Sequence, residues 1–208
     1  MTDADPDKVD LRSEIPRFKE ATPPPEFGDF VENMRRLQDL AVSIDAPDEV
    51  YAEAKARTAE LIDLLAPHEA REGKGPANRS MQLPGRGSLL MPPWKVEKFD
   101  EESVVARGIL RRYHLGGGGV AHGGVLPLIF DDNFGMVVYA AKRPISRTAY
   151  LHVNYRKVTP LNVPLVIEGR VDRVDGRKTF ITSRLTEEDG TLLADGEGLM
   201  LQLLPGQP

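Results

Sequence analysis

The chain has 208 residues, 40% hydrophobic and 28% charged, with a formal net charge of -5. That length allows one medium domain with an extension, or two small ones, and the balance supports a packed core. The negative charge gives no electrostatic reason to expect a nucleic-acid partner, and the absence of cysteine excludes disulfides, thiolate nucleophiles and Cys-ligated metals.

In chain order, residues 1–26 are acidic and Pro-rich, end in TPPPE, and read as a flexible arm. The start has no apolar core of a secretory signal, so the expected location is the cytoplasm. No stretch approaches the ~20 apolar residues of a membrane span. Residues 27–86 read as a helical extension with a linker. Phe30, Met34, Leu37 and Leu40 lie three and four apart, one stripe of a first helix. Asp48 is the expected N-cap of a second, which carries Val50, Ala54, Leu61, Leu64 and Leu65 and stops near Pro67. Lone helices of this size are marginal in water, so both are expected to pack on the following domain and cover part of its pocket. Residues 71–86, REGKGPANRSMQLPGR, read as a linker or surface loop.

From residue 87 the texture changes. SLLMPPWKVEKFD and SVVARGILRRYH predict two strands, and residues 123–141 a buried helix. Four more strands are expected over Ser146–Lys157, Pro164–Val174, Lys178–Glu187 and Thr191–Leu204. Asp175-Gly176 and Asp189-Gly190 mark hairpin turns. The order β-β-α-β-β-β-β is α+β, one helix against an antiparallel sheet.

Between strand and helix stands HLGGGGVAHGG, followed by VLPLIFDD. A phosphate-binding loop would end in Gly-Lys-Ser/Thr or sit in a βαβ unit, and this one does neither. Two readings stay open: glycines that let the chain turn, or a Gly-Gly helix start whose bare N–H groups suit a developing oxyanion. Asp131 lies seven residues after Gly124, returning almost to the same helix face. A carboxylate within an apolar run is expensive unless paired or used, though a helix-surface acid is the plain alternative. From Thr148 to Arg156, even positions are Thr, Tyr, His, Asn and Arg, and odd ones Ala, Leu, Val and Tyr. That alternation predicts an apolar face on the helix and a polar face carrying Thr148 and His152. The four histidines stand singly, without ligand spacing, so no metal is expected.

His122-Gly123-Gly124, with Asp131 nine residues after the histidine, resembles the HGG motif of PaaI-type hotdog-fold acyl-CoA thioesterases. TAYLHVNYRKVTPLNVPLVIEGRVDRVDGRKTF resembles the strands that follow it, and the likeness spans about residues 88–204. It implies a hotdog thioesterase domain over 87–208: an antiparallel sheet wrapped around one long helix, paired into a homodimer or further into a tetramer, with composite active sites. It makes Asp131 the general base or nucleophile, Gly124 the oxyanion donor and His122 an orienting residue. Thr148 would come from the neighbouring subunit to position water. Substrate contacts are expected from Gly123, Asn154, Arg156, Lys157, Arg177 and Lys178, the cations answering the CoA phosphates. The implied reaction is hydrolysis of an acyl-CoA thioester without metal or redox cofactor. A non-catalytic acyl-CoA sensor or a hotdog hydratase/dehydratase are the alternatives.

Overall fold

The computed structural model describes residues 20–71 and 73–204. Most of the arm expected over 1–26, residues 1–19, lies outside the described residues. The domain body holds β1 (Lys95–Phe99), β2 (Val104–Gly108), β3 (Leu115–Gly117), β4 (Val120–Ala121) and α3 (Val125–Ala140). β5 (Ser146–Tyr155), β6 (Leu165–Asp175), β7 (Lys178–Glu187) and β8 (Leu192–Gln202) follow. One antiparallel sheet runs β1-β2-β6-β7-β8-β5, and β3-β4 is a separate ribbon. Gly176 and Gly190 take φ 55° and 86° at the two expected hairpin turns, values that cost glycine little.

α3 lies across the sheet and buries Leu126, Ile129, Phe130, Phe134, Val137 and Val138. Its close approach needs missing side chains opposite. A Cβ at Gly196 would stand 2.7 Å from the Phe130 ring, one at Gly198 2.5 Å from Phe134, and one at Gly169 1.9 Å from Asn133 Oδ1. Phe130 and Phe134 are fully buried, each contributing roughly 1.5–3 kcal/mol.

The extension departs from expectation. α1 (Phe27–Ala41) buries Val31 and Arg35 rather than the Phe30-Met34-Leu37-Leu40 stripe; Leu37 and Leu40 stay exposed. Polar fastening explains the rotation. Arg35, 5% exposed, donates to the carbonyls of Pro84 (2.8 Å) and Ser88 (2.7 Å). Arg111 pairs with Glu32 (2.7 Å) and Asp39 (2.6 Å). α2 (Asp48–Leu65) is capped by Pro47 rather than Asp48 and buries no residue, leaving Ile62 and Leu64 about two-thirds exposed (64% and 66%). Its packing on the body is therefore not found.

The stretch 71–86 is more than a linker. Ser80, Gly85 and Gly87 are buried. Gly85, Arg86 and Gly87 take successive left-handed φ values of 57°, 55° and 76°. This turn wraps onto the body, with Gly85 N–H donating to Trp94 O at 2.7 Å.

Candidate active site

The glycine-rich stretch divides by role. Gly116–Gly119 build the β3-β4 ribbon: Gly118 and Gly119 turn with φ 58° and 79°, while a Cβ at Gly116 would strike His122 Cα at 2.6 Å. Gly124 is the N-cap of α3. Its N–H donates to His122 Nδ1 at 3.0 Å, so the expected oxyanion donor is held by the motif's own histidine. The carbonyl of Gly123 accepts the Tyr155 hydroxyl at 2.9 Å, which ties the far end of β5 to the helix start.

Two adjacent acids leave α3 on opposite rims of its buried face, about 100° apart. Asp131, exposed, accepts the Thr148 hydroxyl at 2.6 Å. That hydroxyl also lies 3.3 Å from the sulfur of buried Met200. Asp132, on the other rim, is clasped by Arg86 through both oxygens, at 2.5 and 2.9 Å. The second carboxylate is thus a strut holding the 84–88 turn.

Thr148 corrects one expectation. The alternation puts it on the polar face; it stands on the helix face, beside the Asp131 of its own chain. The cause is a β-bulge. Thr148 pairs with Met200 but Tyr150 pairs with Leu199, so Ala149 is an extra residue. One extra residue reverses the alternation, which re-aims a side chain. Thr148 therefore joins Leu151 and Val153, opposite Met200, Gly198 and Gly196, on the side that faces α3.

The other candidates fall into separate places. Asn154 and Arg156 are held by Asp195 at 2.9 and 2.5 Å on the outer side of the sheet. The Arg156 guanidinium holds the Asp195 carboxyl below the usual carboxylate range. Lys157 is exposed at that same end of β5, and none of the three is brought to Asp131. Arg177 and Lys178 lie at the Thr148 end of the sheet, with Lys178 on its outer face, since its neighbour Thr179 is the residue aligned with Met200 and Thr148. Arg177 donates to Gln202 O at 2.7 Å, and Lys178 pairs through Leu201 with Arg147. Arg86 was missed because its loop reads as linker, although a lone arginine between two glycines could have marked a built turn.

The turn containing Arg86 also roofs a cavity on the Asp132 rim, lined by Met91, Trp94, Ile129, Asn133 and Met136. The extension thus covers the rim of α3 away from Asp131, and not the exposed carboxylate. Among the described residues no helix is long and apolar enough to cross a membrane.

Comparison with known proteins fits this geometry. Residues 118–194 match the Thioesterase superfamily. Acyl-coenzyme A thioesterase THEM4 of Rattus norvegicus is 32% identical over 91 residues, 43% of this chain and 39% of that protein. THEM4 of Xenopus laevis is 30% identical over 95 residues, 45% and 42% of the two chains. The chain thus spans about two-fifths of the length of these curated relatives. The solved thioesterase superfamily protein RHA08564 is 25% identical with a TM-score of 0.74, over 88% of this chain and 98% of its own. That coverage exceeds the sheet-and-helix body, so the extension is shared as well. A Streptococcus pneumoniae TIGR4 thioesterase protein solved with coenzyme A aligns at 24% identity and a TM-score of 0.50, over 52% of this chain and 86% of its own. The fold is the hotdog fold, as the HGG resemblance implies.

Proposed function

We propose that the protein is an acyl-CoA thioesterase whose working carboxylate is Asp131. One observation carries the reading: Thr148 Oγ1 donates to Asp131 Oδ1 at 2.6 Å on an exposed rim of the central helix of a thioesterase-type fold. With its proton given to Asp131, the threonine oxygen is free to accept from a water. The water's other proton then points at the carboxylate. Asp131 takes that proton as the water oxygen attacks the thioester carbon. The C–S bond breaks, and the proton passes to the departing CoA thiolate.

The oxyanion donor is the Gly124 N–H, supported by its place at the positive end of α3. An oxyanion is a stronger acceptor than a neutral imidazole, so it displaces His122 Nδ1. Gly124 and Asp131 of one chain cannot share a carbonyl: seven helical residues rise about 10 Å, and reacting atoms must come within roughly 3–3.5 Å. The site is therefore composite, Asp131 and Thr148 from one protomer and Gly124 from its partner. β5 supports such a homodimer. It ends the sheet, and a long open edge strand is a template for pairing with a second copy.

The test is release of free thiol from a panel of acyl-CoAs. Thiol release that vanishes in Asp131→Asn supports the reading. CoA binding without thiol release would favour the sensor alternative, and double-bond hydration without thiol release a hydratase.

A further inference from the structure

The loop that ends in Gly124 hangs on α1, a helix outside the stretch that matches the Thioesterase superfamily. The chain of bonds is continuous. Asp39, in the last turn of α1, uses both carboxylate oxygens on one short segment. Its Oδ2 accepts from Arg111 Nε at 2.6 Å, and its Oδ1 from the backbone N–H of Tyr113 at 2.9 Å. Within that segment the Arg111 N–H donates to His114 Nδ1 at 2.9 Å. The carbonyl of His114 accepts the His122 N–H at 2.8 Å, and His122 Nδ1 accepts the Gly124 N–H at 3.0 Å. An unbroken path of hydrogen bonds thus runs from the extension to the amide at the start of α3.

A helix fastened to its body by an ion pair is ordinary, and the Glu32–Arg111 pair needs no further account. Asp39 does more than that. It fixes backbone as well as side chain, and the Arg111 and Asp39 side chains are only 17% and 19% exposed. There is little slack further along. A Cβ at Gly116 would stand 2.6 Å from His122 Cα, so the β3-β4 ribbon passes a shift of the Arg111–His114 turn on to His122 rather than absorbing it. Tyr155 holds the loop from the other side, at Gly123. That anchor lies within the matched residues, whereas the one at His122 comes from the extension by way of the turn.

We propose that Asp39 is a positioning residue for the reaction: by clamping the Arg111–His114 turn it sets where His122 stands, and His122 aims the Gly124 N–H before the oxyanion displaces it. This rests on the reading of Gly124 as oxyanion donor and deepens it. Such donors act by being placed in advance, and a misplacement of about 1 Å caused far from the chemistry costs about a hundredfold in rate. α1 therefore has a task at the Gly124 end of α3, although it leaves Asp131 uncovered.

The experiment follows Asp39→Ala in the full chain, by kinetics and by NMR of the Gly124 amide. With an acyl-CoA substrate, kcat should fall about tenfold or more while KM stays within about twofold, because the lost interaction belongs to the transition state. The backbone amide resonance of Gly124 should move, while amides of the central strand β7 stay in place. Asp39→Asn still accepts the Tyr113 N–H, so it should keep most of kcat and move the Gly124 amide less. Arg111→Lys loosens the same clamp, since an ammonium cannot replace the guanidinium fork; it serves if the alanine variant does not fold, and Gly124 should move there too. A folded Asp39→Ala or Arg111→Lys protein with an unmoved Gly124 amide would overturn the assignment, as would an unchanged kcat when that amide moves. If the native protein releases no thiol, the thioesterase reading fails on its own, and the Gly124 amide still decides whether Asp39 positions it.

Discussion

At the scale of single residues, the adjacent acids Asp131 and Asp132 part company because one helical step turns about 100°. Asp131→Asn keeps shape and removes the base, so turnover should fall by about two orders of magnitude with the fold intact. Asp132→Asn leaves Arg86, mostly buried, without its carboxylate. Chemical denaturation should read a loss of about 2–3 kcal/mol, with kcat close to native. If the two variants traded these phenotypes, the rims of α3 would be wrongly assigned. His114 offers a pH test. Burial pushes its pKa below the usual histidine value; the hydrogen bond with the Arg111 backbone and the Asp39 charge oppose this, and the Arg111 charge adds a smaller push downward. The folded state then resists a proton that the unfolded state accepts, so this contribution is full above about pH 6.5 and is lost as pH falls toward the folded pKa. His114→Gln should flatten the stability profile across that acid window; an unchanged profile would assign the loss to other groups.

At the scale of elements, the bulge in β5 decides the site. Deleting Ala149 removes the extra residue and leaves a regular ladder in which Thr148 still opposes Met200 on the helix face. Turnover should therefore stay well above that of Thr148→Ala, while circular dichroism stays native-like. A deletion as inactive as Thr148→Ala would mean that the bulge sets more than the side Thr148 faces. The extension shows the reverse case, in which polar fastening beats an apolar stripe. Arg35 satisfies two carbonyls and Arg111 answers two acids, and together they turn Val31 inward and leave Leu37 outward.

At the scale of the whole molecule, the roughly 10 Å rise between Gly124 and Asp131 is the reason we propose two protomers. Pro at position 124 removes the N–H, and the native φ of -66° is the value proline requires. Mixed with Asp131→Asn, an inactive Gly124→Pro chain should regain about a quarter of native activity, because each hybrid dimer holds one intact site. Asp131→Asn mixed with Thr148→Ala should regain none, since both residues belong to the same chain. Recovery in the second mixture instead of the first, with subunit exchange verified by mass, would reverse the sharing.

The sequence by itself determined the layout: period-2 runs, two Asp-Gly turns and one helix-length apolar run define an antiparallel sheet and its helix, because local periodicity and turn chemistry are properties of neighbours in the chain. It also marked Gly124, Asp131 and Thr148 as the residues to watch. Tertiary structure decided which side each one faces. A bulge is visible only in the register of β5 against β8, so the alternation around Thr148 pointed to the wrong face. The Asp132–Arg86 pair spans 46 positions, which no local pattern in the sequence can show. The outward stripe of α1 has the same origin: periodicity reveals that a helix has an apolar face, but the partners it finds decide whether that face is buried.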